Sequence, residues 1–313
     1  MKILITGGAG FIGSHLVEKL LQKKNKIFVL DNLSTGNLKN IKPFFKNKNF
    51  FFKKGSVLNK KDLSPLIKKA DQIYHLAAAV GVRYVVDNPL ETLITNIDGT
   101  KNVLELALSK KIPVLITSSS EVYGKNEKLP FNEDSDRTYG SAYNHRWGYG
   151  LSKTVDECLA LAYWKEKQLP VVIVRLFNTV GSRQSKEYGM VIPTFIHQAK
   201  NNKPMTVFGK GSQTRCFAHV NDISNALIKL MNTKRAQGEV INLGSTESIK
   251  IIDLAKKIKK LTNSESPIKI IPYQKTYAKM FDCQQRIPNI KKASSLIGYK
   301  TTFTLDKIIK SMI

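Results

Sequence analysis

The sequence predicts an α/β protein, a doubly wound parallel sheet with a smaller C-terminal α/β substrate lobe. Two observations predict it. Short, nearly continuous apolar runs such as Ile3–Ile5, Ile27–Leu30 and Val171–Asn178 read as strands buried on both faces, and stretches of helical apolar periodicity separate them. The opening segment, Met1 to Asp31, then packs strand, glycine turn, helix and strand into one βαβ unit. In it Ile3–Ile5 is the strand, Thr6-Gly7-Gly8-Ala9-Gly10 the turn, and Phe11, Ile12, Leu16, Leu20 and Leu21 the apolar stripe of the helix. Ile27–Leu30 is the second strand, and it ends in Asp31.

The glycines have separate physical tasks. Gly7 permits the tight turn, Gly10 leaves room for a pyrophosphate against the backbone, and Gly13 lets helix and strand pack closely. The unpaired N–H groups of the helix start, with Phe11 and Ile12, face that anion. Asp31 can accept hydrogen bonds from both hydroxyls of an adenosine ribose and would repel a 2′-phosphate, so the unit is a Rossmann-type site expected to take NAD.

Downstream, Asn32, Ser34, Thr35 and Gly36 form a polar turn placed to close over the adenosine. Asn49–Lys54 is a third strand, followed by a turn that brings Ser56 and Val57 toward the adenine. Gln72–Ala78 is a fourth strand ending in Leu76, Ala77 and Ala78, small enough at its end for a dinucleotide to lie across the sheet. His75 within it reads as a packed strand residue. Asn88–Lys110 is a long helix, which carries Asn96 as a further cofactor contact, and its length suits a dimer interface. Val114–Ser120 is the fifth strand, and Ser118-Ser119-Ser120-Glu121 sits at its carboxyl edge, where open α/β sheets bind ligands.

Tyr149 and Lys153 lead the next helix one turn apart on one face. A free tyrosine has a pKa of about 10, and a neighbouring ammonium together with an oxidised nicotinamide favours the phenolate; two or three units of downward shift would make Tyr149 a base near neutral pH.

With TGGAGFIG, DNLSTG, HLAA, SSSEVYG, YGLSK, RLFNTVG, VFGKGSQTRCFAHVNDI and RIPNIKKASSLIGYK in place, the chain resembles the extended short-chain dehydrogenase/reductases over essentially its whole length. Within them it is similar to the NAD-dependent epimerase/dehydratase family of nucleotide-sugar enzymes, closest to UDP-glucuronate decarboxylases and UDP-glucose 4-epimerases. Ser56 and Ser182 depart from the family's usual aspartate and proline. The resemblance implies a bound NAD, a UDP-sugar substrate, Tyr149 as base, Lys153 lowering its pKa, and Ser119 on the sugar's 4-oxygen. It implies that Ser120, Asn178, Val207, Phe208, Arg215 and Arg286 line the sugar site. It also divides the chain, with residues 1–178 as the NAD-binding domain completed by about 214–244, and 179–213 with 245–313 as the nucleotide-sugar lobe. In that division Phe217–Leu230 and Val240–Gly244 return to the sheet, and helices are expected over Val191–Lys200 and Ile251–Leu261. Decarboxylases of the family carry a hydroxyl residue, a serine and a glutamate in a row, here Ser119-Ser120-Glu121, and an arginine two residues before a proline, here Arg286-Ile287-Pro288. That makes Glu121 a catalytic candidate for handling a proton or a water, and ranks decarboxylation of UDP-glucuronate ahead of 4-epimerisation and 4,6-dehydration. Proteins of this fold that only sense a dinucleotide generally lack the Tyr–Lys pair.

Composition narrows the remainder. At 313 residues with 42% hydrophobic and 24% charged residues, the chain suits one large core plus a smaller lobe. No stretch reads as a membrane span or signal peptide, so a cytoplasmic protein is expected. Three scattered cysteines argue against a disulfide framework and against a metal site. The net charge of +26 invites a nucleic-acid reading, but the lysines fall in short pairs along polar helix faces and loops with no recognition motif beside them. A solvated, positive surface that steers an anionic substrate is the expectation.

Overall fold

A computed structural model of the chain describes residues 1–185, 190–272 and 283–313. The opening unit is β1 (Lys2–Thr6), α1 (Phe11–Gln22) and β2 (Lys26–Asp31). Then come β3 (Phe50–Lys54), α2 (Lys60–Ile67), β4 (Gln72–His75), α3 (Val82–Asp87), α4 (Pro89–Leu108) and β5 (Val114–Ser119). A 3-10 turn, Ser120–Tyr123, leads on to α5 (Arg146–Lys167) and β6 (Val171–Leu176). Beyond it lie β7 (Thr179–Val180), α6 (Val191–Lys200), β8 (Met205–Phe208), β9 (Thr214–Cys216), β10 (Ala218–His219) and α7 (Val220–Met231). The chain closes with β11 (Glu239–Leu243), β12 (Ser248–Lys250), α8 (Ile251–Leu261), β13 (Ile268–Ile271), α9 (Lys291–Ile297) and α10 (Leu305–Lys310).

Seven strands form one parallel sheet in the order β3-β2-β1-β4-β5-β6-β11. The chain winds outward from β1 to β3, then restarts with β4 on the other side of β1, which puts the topological switch point between β1 and β4. Ile3 and Ile5 point into the core beneath α1 and α7, while Leu4 points into the opposite core beneath α2, α4 and α5. This two-sided burial explains why the strands read as continuous apolar runs instead of alternating ones. A third core, with Ile192, Phe195, Val207, Leu254, Ile258 and Ile308, holds α6, β8, α8 and α10 together.

Several boundaries differ from the sequence reading for local reasons. The fourth strand stops at His75, because the loop behind it turns against the glycine turn: a Cβ on Gly7 would lie 2.7 Å from the Ala77 nitrogen. His75 is packed as expected, its ring bonded to the Thr6 and Thr100 hydroxyls at 2.7 and 3.1 Å. The sixth strand stops at Leu176, and Asn178 beyond it has φ +30°. Of Phe217–Leu230, the part that was expected to rejoin the sheet, β10 pairs only with β7 and the rest is α7, whose Ile223, Leu227 and Leu230 are buried over the sheet. The returning strand is β11 alone. The expected helices at Val191–Lys200 and Ile251–Leu261 are α6 and α8.

Candidate active site

A cavity of about 780 Å³ runs across the carboxyl ends of the strands, from the glycine turn to Tyr149. At one end its wall is backbone. Gly7 has φ +73°, and a Cβ on Gly13 would lie 2.1 Å from the Gly7 carbonyl oxygen, so that close contact between helix and turn exists only for glycine. Helix α1 starts at Gly10 with no side chain capping its first N–H groups. Gly10, Phe11, Ile12 and Gly13 all line the cavity. An uncapped helix start against a Cβ-free floor is a fit for the pyrophosphate of a dinucleotide.

Asp31 ends β2 at the same wall. Its Oδ2 accepts from the Ala9 N–H at 2.9 Å and Oδ1 from the Leu33 N–H at 2.8 Å, which fixes the carboxylate while leaving lone pairs for a ribose. Burial lifts its pKa above the ordinary value and those backbone donors oppose the rise. Asn32, Ser34, Thr35 and Gly36 also line the cavity, as do Val57, Leu76, Ala77 and Ala78. A Cβ on Gly36 would stand 2.8 Å from Asp31 Oδ1, so glycine is what lets this loop close over the acid.

Two residues assigned to the cofactor lie behind the wall. The Ser56 hydroxyl accepts from the Leu58 N–H at 3.2 Å, shaping the turn, while its neighbours Gly55 and Val57 line the cavity. Asn96 is fully buried, with Oδ1 accepting from the Ala79 N–H at 2.8 Å and Nδ2 donating to Ser152 Oγ at 2.9 Å. It supports the loop after β4 instead of facing a ligand.

The other end of the cavity is made of side chains. Ser119, Ser120, Glu121, Tyr149, Lys153 and Asn178 line it. Ser119 Oγ accepts from the Glu121 N–H at 3.2 Å, which leaves its proton to donate to the Tyr149 phenol. Burial pushes the Tyr149 pKa above its ordinary value, and Lys153 and Ser119 pull the other way without overcoming it. The downward shift expected from the sequence therefore needs the positive nicotinamide ring as well as the lysine.

Arg286 and Glu121 meet as a two-point ion pair, Nη1–Oε1 at 2.6 Å and Nη2–Oε2 at 3.0 Å. Burial would raise the Glu121 pKa, but the charges of Arg286 and Arg146, the Arg286 hydrogen bond and the charge of Arg215 outweigh it and hold it at about 2. An acid with that pKa is ionised at neutral pH, so Glu121 is in no position to donate a proton while Arg286 is paired with it. Val207 is fully buried in the third core, and Phe208 beside it is 41% exposed. Among the described residues that line the cavity, neither they nor Arg215 appear, and Arg286 meets that wall at Glu121.

Sequence reasoning passed over three residues. Arg146, one turn before Tyr149, lines the cavity with Nη2 3.5 Å from Glu121 Oε2. Arg183 also lines it, reaching across to Glu18 on α1 at 2.6 Å. Asp156 pairs with Lys153 at 3.0 Å. Of these, Arg146 and Asp156 had a signal in the sequence, since each lies three residues from Tyr149 or Lys153 and so on the same helix face; Arg183 had none.

The sequence profile described as GDP-mannose 4,6 dehydratase matches residues 4–312. The UDP-N-acetyl-alpha-D-glucosaminuronate decarboxylase of Bacillus cytotoxicus is 38% identical over 100% of this chain and 96% of that protein. UDP-glucuronic acid decarboxylase 1 of Danio rerio is 39% identical over 98% of this chain and 70% of its own length. Among solved structures, the UDP-glucuronic acid 4-epimerase of Bacillus cereus, in complex with UDP-glucuronic acid and NAD, is similar with a TM-score of 0.90 at 31% identity, covering 100% of this chain and 98% of that one.

Proposed function

This chain belongs to the GDP-mannose 4,6-dehydratase family of NAD-dependent epimerases and dehydratases, and from that premise we propose that it decarboxylates a UDP-glycuronic acid, UDP-glucuronate first. The observation that carries the reading is the Arg286–Glu121 pair beside Ser119 and Tyr149, a guanidinium fork already engaged with a carboxylate where a substrate carboxylate has to be recognised. The full-length likeness to decarboxylases supports it.

NAD is the cofactor this site suits: the Gly10–Gly13 backbone would hold its pyrophosphate and Asp31 its ribose, and it would supply a reversible hydride acceptor for the sugar's C4. Tyr149 removes the proton of the 4-hydroxyl, Ser119 hydrogen-bonds the 4-oxygen as charge shifts, and Lys153 keeps the phenolate accessible. With C4 a ketone, the C6 carboxylate is that of a β-keto acid. The C5–C6 bond breaks, its electron pair moves into a C4–C5 enolate, carbon dioxide leaves, and a proton returns to C5. Arg286 and Arg146 stabilise the carboxylate and the enolate. Glu121, released from Arg286 as substrate enters the fork, loses the largest of the charges that hold its pKa down, and its carboxylate oxygens become available to handle the proton or a water.

The lobe built on α6, β8, α8 and α10 is the part we assign to the nucleotide sugar; residues 186–189 and 273–282 of that division lie outside the described residues. We also read the protein as a cytoplasmic homodimer. Leu90 and Ile94 on α4 and Leu151 and Val155 on α5 are between 38% and 69% exposed and form an apolar stripe of the kind a symmetric pair of helices buries. No helix among the described residues is long and apolar enough to cross a membrane.

The test is to incubate NAD-loaded protein separately with UDP-glucuronate, UDP-N-acetylglucosaminuronate and UDP-glucose, and to identify products by mass and NMR. Decarboxylated product from a uronate, lost in Glu121→Ala with NAD still bound, is expected. Interconversion of UDP-glucose and UDP-galactose with no loss of carbon dioxide assigns the chain to the 4-epimerases, which the Bacillus cereus likeness keeps as the second reading.

A further inference from the structure

Lys153 is buried to 2% side-chain exposure, and its ammonium sits 3.0 Å from Oδ2 of Asp156, itself fully buried one turn along α5. Spacing puts Tyr149, Lys153 and Asp156 in a row along one helix face. Nothing in the reaction proposed above requires a carboxylate there, and enclosing an ion pair is costly. A buried polar chain continues from it. The Thr100 hydroxyl lies against the Asp156 carboxylate and acts on it as a donor, although Oδ1 has no partner at full hydrogen-bond geometry, so this contact is a loose one. Thr100 is bonded in turn to His75, and His75 to Thr6. Burial and the Lys153 charge hold His75 down to about 3, so the ring is neutral and the chain delivers no second charge to Asp156. Among the described residues Lys153 is the cation paired with this carboxylate.

We propose that Asp156 is the counter-ion that keeps Lys153 charged and aimed, a positioning residue that acts on Tyr149 through Lys153. The inference rests on the reading of Tyr149 as base. An ammonium enclosed this completely loses its charge without a partner. For Lys153 burial is the largest influence and pulls the pKa down, Asp156 is the largest opposing one, and the result is a lysine held above its ordinary value. Asp156 takes one of three N–H donors, leaving two for the phenolate and a ribose hydroxyl. The other groups facing this set are Ser119 and Glu121, the latter balanced by Arg286 and Arg146, and Glu157, which is neutralised by Arg175 and Arg137. Asp156 also acts directly on Tyr149 in the opposite sense, but it is the weakest of the influences on the phenol, and Lys153 is second only to burial.

The experiment follows the tyrosinate absorbance of NAD-loaded protein against pH, taken as the difference from Tyr149→Phe, alongside the acidic limb of the kcat/KM profile. In Asp156→Asn both midpoints move up by about one pH unit, a tenfold loss of phenolate at a fixed pH below them, and Asp156→Glu recovers part of the shift. Midpoints that stay in place, or that move down as the direct repulsion alone would require, overturn the proposal. Full activity in Tyr149→Phe instead overturns the reading of the base on which the proposal rests. Where Asp156→Asn does not fold, Asp156→Ser removes the charge with a smaller side chain and the same shift is expected.

Discussion

The two ends of the cavity are built on different principles. At the adenosine end the recognising groups are backbone, the start of α1 and the Gly7 turn, joined by one side chain, an Asp31 carboxylate that two main-chain N–H groups pin. At the catalytic end they are side chains held in ion pairs, Glu121 with Arg286, Lys153 with Asp156, and behind them Glu157 with Arg175. The contrast matches what each end has to do. A pyrophosphate needs a fixed dipole and a shape, which a glycine turn supplies without any titrating group. Proton transfer needs groups whose charge can change, and burial makes their pKa values respond strongly to a neighbour.

Substitutions at the two ends should therefore fail in different ways. The largest effect is expected at the catalytic end: Tyr149→Phe lowers turnover by at least about a hundredfold, the low end of general-base effects, while leaving NAD affinity intact. Steady-state rates and NAD titration check it, and near wild-type turnover would remove Tyr149 from the role of base. At the other end Gly13→Ala drives a methyl group to within 2.1 Å of the Gly7 carbonyl. The turn has to move, and NAD affinity should fall by at least about tenfold, roughly 1.4 kcal/mol; unchanged binding by calorimetry would show that the turn adapts. The smallest effect is one of selectivity. Asp31→Ala should weaken NAD more than NADP, because a 2′-phosphate no longer meets a carboxylate. Equal losses in parallel titrations would mean that Asp31 mainly supports the Ala9 and Leu33 backbone.

The same contrast explains what could be read from the sequence. The adenosine end lies within a single βαβ unit, where local spacing determines geometry, and the cavity wall holds Gly7, Gly10, Gly13 and Asp31 as that spacing requires. Tyr149 and Lys153 were also legible, since a helical turn relates them. The Glu121–Arg286 pair joins residues 165 positions apart, and no periodicity reports a contact of that kind. Resemblance nominated both residues, but their two-point pairing, and the low Glu121 pKa that follows from it, needed the fold. Ser56, Asn96 and Val207 show the converse. A residue's neighbourhood in sequence says nothing of whether its side chain faces the ligand or the core, and these three face away from the cavity. Short α2, with Pro65 inside it and a charged N-terminal half, escaped notice because its apolar side consists of little more than Leu63 and Ile67.

The claim on which the catalytic end depends is that its arginine–glutamate pair serves a substrate carboxylate that is then lost. Supplying NAD-loaded protein with UDP-glucuronate carrying labelled carbon at C6 tests that most directly. The label should leave as carbon dioxide, one equivalent for each UDP-xylose formed, with no net change in bound NAD. Label retained in a UDP-galacturonate product would contradict it and make the carboxylate an anchor for epimerisation at C4.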